Sequence, residues 1–182
     1  MKVIGLVGEK GSGKQTFVNF IKEVNPDLNI RQVRFSDILA QTLMLWDIPI
    51  TRANLQKLSL IMNDGFGTKA LANAAKFSIE GDSADIIIFD GVRRLAEYQL
   101  VKNMPDSILI YITADQQLRH QRLKLRSEKV GEVGLSFEQF LEEEKSKAES
   151  EIPKISKKAD FKIENNESLE EFKNKIRQLP LL

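Results

Sequence analysis

Cysteine is absent from this chain, so disulfides, thiolate metal sites and a cysteine nucleophile are all excluded. Histidine occurs once, at His120, which removes a histidine-built zinc site and a Ser-His-Asp triad. An excess of one charge is missing as well. In 182 residues, 27 Lys and Arg stand against 26 Asp and Glu, a balance that argues against a nucleic-acid or membrane-surface partner. No apolar run approaches the length of a membrane span. Met1 and Lys2 lead straight into an apolar strand and leave no room for a secretory leader, so the expectation is a soluble, cytoplasmic protein. Internal repeats and low-complexity stretches are lacking too. A hydrophobic content of 42% suits one domain over residues 1–182 with a sizeable core.

What is present is concentrated near the start. The run Gly8-Glu9-Lys10-Gly11-Ser12-Gly13-Lys14-Gln15-Thr16 follows the apolar Val3-Ile4-Gly5-Leu6-Val7 and opens into Phe17-Val18-Asn19-Phe20-Ile21, whose apolar spacing is helical. A glycine-rich turn between a buried strand and a helix lets successive N–H groups converge on one anion, and the helix N-terminus adds partial positive charge. Gly8, Gly11 and Gly13 satisfy the phosphate-loop spacing, with Ser12 between the last two and Lys14 placed to reach the outer phosphates of a nucleotide. A tight turn made only for packing accounts for glycines but not for a lysine at the mouth of a helix. The next position is Gln15 rather than the usual Ser or Thr, and a hydroxyl arrives one residue later, at Thr16.

Along the chain, strands are expected at residues 3–7, 30–35, 85–90, 107–112 and 161–163, the second being weakly apolar and suited to a sheet edge. Helices are expected at 14–24, from Ser36-Asp37 through Trp46, from Thr51 to a break at Asn63-Asp64-Gly65, at 69–79, at 95–102 and from Asp115 to about Ser127. Ser136 with Gln139, and Ser168 with Glu171, have the spacing of capping boxes for two more. Strands alternating with helices predict a three-layer α/β sheet with right-handed crossovers. Residues 36–81 exceed a simple crossover and suit an inserted acceptor-holding helical region.

Several polar residues fall where chemistry could use them. Asp90 ends a buried strand near the loop and could hold magnesium with Thr16, or simply cap a turn. Arg93 suits a phosphorylated acceptor through paired hydrogen bonds, while Arg94 reads as an exposed helix start. Asp37 could accept a proton or bind the acceptor, or could serve as an N-cap. Arg119, Arg122 and Arg126 share one helical face ahead of a glycine-containing loop, as a phosphate-covering lid would require or as a solvated charged face would give. His120 lies off that stripe and reads as a surface residue. Asn165-Asn166 could frame an adenine or form an ordinary turn. Trp46, Phe66 and Phe77 read as core aromatics, with an acceptor pocket as their other use.

The loop Gly8–Thr16, the run Phe89-Asp90-Gly91-Val92-Arg93, the residues Leu118, Arg119, Arg122, Leu123 and Arg126, and the run Ala159-Asp160-Phe161 with Ile163 and Asn165 resemble the nucleoside monophosphate kinase superfamily. Within it the likeness is to deoxynucleoside monophosphate kinases, dephospho-CoA kinases and archaeal adenylate kinase-related proteins; the late hydroxyl at Thr16 resembles their GKGT and GKDT loops. This resemblance implies a P-loop fold with a five-stranded parallel sheet in the order 2-3-1-4-5, an acceptor region at 36–81 and a lid at 115–150. It implies ATP and Mg²⁺ at Gly8, Gly11, Ser12, Gly13, Lys14, Gln15 and Thr16, with Arg119 and Asn165 on the nucleotide. Asp90 joins Thr16 at the metal, Asp37 and Arg93 hold the acceptor, and Arg122 and Arg126 form the lid. The activity implied is phosphoryl transfer from ATP to a small phosphorylated acceptor, a nucleoside or deoxynucleoside monophosphate, with dephospho-CoA as the other acceptor. Two further readings stay open: a regulatory NTPase, although no Asn-Lys-x-Asp guanine-reading sequence is found, and a nucleotide-binding protein without turnover.

Overall fold

The computed structural model describes residues 1–125, 136–145 and 149–181. Five parallel strands form its centre: β1 (Lys2–Val7), β2 (Ile30–Arg34), β3 (Ile86–Val92), β4 (Ser107–Thr113) and β5 (Phe161–Glu164), in the spatial order β2-β3-β1-β4-β5. The runs that build β1, β3 and β4 are apolar on both faces because both faces are covered by helices. Alternation divides their side chains between two cores. Val3, Val7, Ile87, Phe89 and Leu109 face one side and pack with Phe35, Ala75, Val101 and Ile155. Ile4, Leu6, Ile88, Ile110 and Ile112 face the other and pack with Phe17, Phe20, Phe172 and Ile176. The weakly apolar β2 takes an edge, as its composition predicts.

The first core lies under α2 (Phe35–Leu45), α4 (Ala70–Phe77), α5 (Leu95–Lys102) and the short α8 (Ile152–Ser156). The second lies under α1 (Lys14–Val24) and α9 (Leu169–Arg177). Among the described residues, α3 (Arg52–Phe66), α6 (Gln116–Leu125) and α7 (Phe137–Glu144) complete the helices, and none is long and apolar enough to cross a membrane. The Ser136 and Ser168 capping boxes form as their spacing predicts: each hydroxyl accepts an N–H three residues on, at 3.2 and 3.3 Å.

Four expectations are corrected. The strand expected to stop at Asp90 runs on to Val92, because Gly91, at φ 87°, forms a bulge that advances the register between Leu6–Asp90 and Val7–Val92. The helix expected to be capped by Ser36-Asp37 starts already at Phe35, directly off β2, and places Asp37 exposed in its first turn. Asn63-Asp64-Gly65 does not break α3; capped by Thr51, which accepts from the Asn54 N–H, the helix continues to Phe66 and stops at Gly67. Trp46, Phe66 and Phe77 are not core residues but are 74, 75 and 75% exposed. Periodicity marks these segments as helical but says nothing of whether another layer covers their outer face.

Candidate functional site

The loop between β1 and α1 lies at the carboxyl end of the sheet, where the order of strands makes β1 the centre. Gly13 shows why glycine is needed there. Its φ of 111° is left-handed, and a Cβ would strike the Asn165 amide. That amide donates to the Ser12 carbonyl at 2.8 Å, so the end of β5 buttresses the loop from outside. Gly11 backs onto Arg119, whose guanidinium donates to the Lys10 carbonyl at 3.3 Å. The Ser12 hydroxyl is fully buried with no hydrogen-bond partner, and the Glu9 Oε2 atom is likewise without one. An unanswered hydroxyl inside a loop of converging amides fits an incoming oxyanion.

Lys14 is half-buried, and its ammonium lies back over the loop, donating to the Gly8 and Glu9 carbonyls at 2.7 and 2.8 Å. Burial lowers its pKa to about 8, opposed by the carboxylates of Asp90, Glu149 and Glu9 and assisted by the charge of Arg93. Lys14 thus lies among groups from three parts of the chain. Glu9 in turn accepts from the Tyr111 hydroxyl at 2.6 Å; burial, then that bond, pushes the tyrosine up to about 12.

A cavity of about 380 Å³ beside the loop has Gly11, Gly13, Thr16, Arg122, Asn165 and Phe172 among its lining residues. Arg122 is held there by the Asn165 carbonyl at 2.9 Å. Asp90 lies in β3 and Arg93 directly follows that strand. The Asp90 carboxylate accepts from Gln32 at 2.8 Å and faces the Arg34 guanidinium at 3.5 Å. Arg93 pairs with Glu149 at 2.9 Å, and its own N–H, like that of Arg94, donates to the buried Glu97 carboxylate. Arg94 is half-buried rather than an exposed helix start, and donates to Ser59 of α3.

Asp90 and Arg93 thus lie near enough to act on the Lys14 charge, and Thr16, Arg122 and Asn165 share the cavity lining. Gln15, the residue after Lys14, reaches Gln32 and Arg34, the two side chains that also meet Asp90. Asp37 is exposed in the first turn of α2, three residues after Arg34. Arg126 lies outside the described residues, as does the glycine-containing loop after it. Arg119 does not share a solvated stripe. It is 4% exposed and paired with Glu144 of α7, where its guanidinium also covers the Phe140 ring. His120 is no surface residue either: it is buried, with Phe137 and Phe140 each 5.4 Å from its ring. Helix α7 turns this face of α6 inward, which the spacing of α6 alone could not reveal. Gln32, Arg34, Glu97 and Glu149 are parts of the site that sequence reasoning missed; only the polar alternation of Gln32 and Arg34 on an edge strand offered a signal.

This arrangement has the P-loop kinase-like fold, an α/β sheet in the order 2-3-1-4-5 with the phosphate loop after the central strand. The shikimate kinase of Bacteroides thetaiotaomicron superposes with a TM-score of 0.65, at 12% identity over 100% of this chain and 99% of its own. The shikimate kinase of Acinetobacter baumannii, solved with shikimate, gives 0.58 at 17% identity over 98 and 92%. In sequence, the chain is similar to UPF0200 proteins. That of Methanoculleus marisnigri is 29% identical over 98% of this chain and 95% of its own length. The UPF0200/UPF0201 protein of Archaeoglobus fulgidus is 29% identical over the whole of this chain, which spans 55% of that relative. No family model matches the chain.

Proposed function

We propose that this chain is an ATP-dependent phosphotransferase whose acceptor is a small phosphorylated molecule, a nucleoside or deoxynucleoside monophosphate. Residues 1–182 act as one kinase domain, with 36–81 holding the acceptor and 115–150 serving as the lid. The observation that carries this reading is Lys14, an ammonium that follows Gly13 of the cavity lining and feels the charges of Asp90 and Arg93. A nucleotide entering by the cavity lays its phosphates along the loop, and its terminal phosphorus then faces Arg93. An acceptor phosphate oxygen attacks that phosphorus, the bond to the β-phosphate oxygen breaks, and ADP leaves. Such an oxygen is already ionised at neutral pH, so no proton acceptor is required and Asp37 need not supply one. The chain's contribution is positioning and charge compensation, which suits phosphoryl transfer.

A coupled assay for ADP across nucleoside and deoxynucleoside monophosphates, dephospho-CoA and shikimate tests this. The expected outcome is ADP formation that depends on a nucleoside or deoxynucleoside monophosphate and is lost in Lys14→Met; turnover with dephospho-CoA or shikimate alone overturns the acceptor class. The absence of turnover with every acceptor sinks the assignment. One observation favours a second reading, nucleotide binding without transfer: Gln15 stands where a hydroxyl usually does. That protein would bind ATP and form no ADP in response to any acceptor.

A further inference from the structure

The corner between the phosphate loop and the end of β3 holds a set of four side chains from three elements. On β2, residues two apart point to the same face, so Gln32 and Arg34 both face α1. The register places Arg34 beside Asp90. From the first turn of α1, Gln15 reaches the same point. Its Oε1 atom accepts from Gln32 at 3.0 Å and from the Arg34 guanidinium, and its amide donates to Asn19 at 2.7 Å. Gln32 donates in addition to Asp90 Oδ2 at 2.8 Å, the oxygen that Arg34 also faces at 3.5 Å.

This chemistry does not suit the metal that the fold family implies. A magnesium site of this kind uses a hydroxyl and a carboxylate with lone pairs to spare. Here both lone pairs of the Gln15 carbonyl are taken, Asp90 Oδ2 accepts from Gln32 and faces the Arg34 guanidinium, and Thr16, which carries the next hydroxyl in the chain, belongs to the lining of the cavity. A fixed guanidinium stands against both oxygens. It repels a second cation while attracting the same anion that the metal would serve.

We infer that Arg34, anchored by Gln15 and Asp90, is the resident cation of this corner, and that nucleotide binding by this chain does not depend on Mg²⁺. The inference rests on the nucleotide-binding part of the function proposed above, and concerns affinity rather than the transfer step. The Arg34 side chain is 41% exposed, against 10% for Asp90, so its free edge is open to a phosphate oxygen while the carboxylate behind holds it in place. Gln15 then has a positive use as the anchor that keeps the guanidinium turned to the loop.

Calorimetric titration with ATP, in excess EDTA and again with saturating Mg²⁺, tests this. The wild-type affinities are expected to agree within about threefold, and Arg34→Met to lose roughly tenfold or more in EDTA, the weight of one charge-assisted hydrogen bond. Gln15→Ser removes the anchor, restores a hydroxyl and is expected to create a Mg²⁺ dependence that the wild type lacks. Unchanged melting curves show that either variant is folded, and Gln15→Ser keeps the test alive should Arg34→Met fail to fold. Wild-type binding that drops tenfold or more in EDTA, with Arg34→Met no weaker than wild type, overturns the role of Arg34 and leaves the proposed function standing. A folded wild type that binds no ATP in either buffer overturns both.

Discussion

Lys14 carries the largest consequence at the scale of single residues. With its pKa at about 8, the ammonium is charged at neutral pH and partly neutral above it. A bound polyphosphate restores the charge, so binding above that pH takes up a proton. At pH 8.5, titrations in buffers of different ionisation enthalpy are expected to report uptake on the order of half a proton per ATP, and markedly less at about pH 7.5. In Lys14→Arg the uptake disappears at both pH values, because a guanidinium does not titrate there. Lys14 and the glycines were legible from spacing alone, since a phosphate loop is contiguous in the chain and its geometry is set within a few residues. Arg34 and Glu149 were not. Each gains its meaning from a neighbour in space, Asp90 and Arg93, that lies more than fifty positions away.

The junction of β3 with α5 shows what an element boundary contributes. The bulge at Gly91 turns the chain out of the sheet, and Glu97 collects the N–H groups of Arg93 and Arg94 at 2.7 and 3.1 Å, fixing where Arg93 leaves the strand. Glu151 closes the same turn by accepting from the Leu95 N–H at 2.6 Å. Burial of Glu97 raises its pKa to about 6, against the lowering effect of the N–H groups it accepts. The folded chain therefore holds this proton more tightly than the unfolded one. Its contribution to stability is full below the usual value near 4.5 and is lost as pH rises through about 6. Urea melts of the wild type and Glu97→Gln should differ in slope between those values, with the variant the flatter of the two. Equal slopes would contradict the burial argument. The extent of α3 was harder to read, because Asn-Asp-Gly is a strong turn signal in isolation; a Thr51 cap at one end and Gly67 at the other outweigh it.

For the molecule as a whole, the fold brings cations and carboxylates from separate segments to one end of the sheet. Glu143 of α7 accepts from Lys10 of the loop at 2.9 Å and pairs with Arg52 of α3 at 3.0 Å, while Glu144 holds Arg119. One short helix thus ties the phosphate loop to α3. A ligand that binds only the assembled site stabilises the whole chain by mass action, about 2.7 kcal/mol at a hundred times its dissociation constant. For a chain of this size that corresponds to a rise in melting temperature of roughly 5–10 °C. Scanning calorimetry with ATP is expected to show it in the wild type and not in Lys14→Met; no shift at saturating ATP would speak against nucleotide binding altogether.

The chain's linear order determined the strand-and-helix alternation, the edge position of β2, the phosphate loop and two of the helix caps. Each depends on periodicity or on groups a few residues apart, and such interactions are written locally. Tertiary structure alone decided that His120 and Arg119 turn inward, that Trp46, Phe66 and Phe77 stay in water, and that Gln15 meets Arg34. Those outcomes depend on which layer covers which face and on the register between strands, and residues distant in sequence set both.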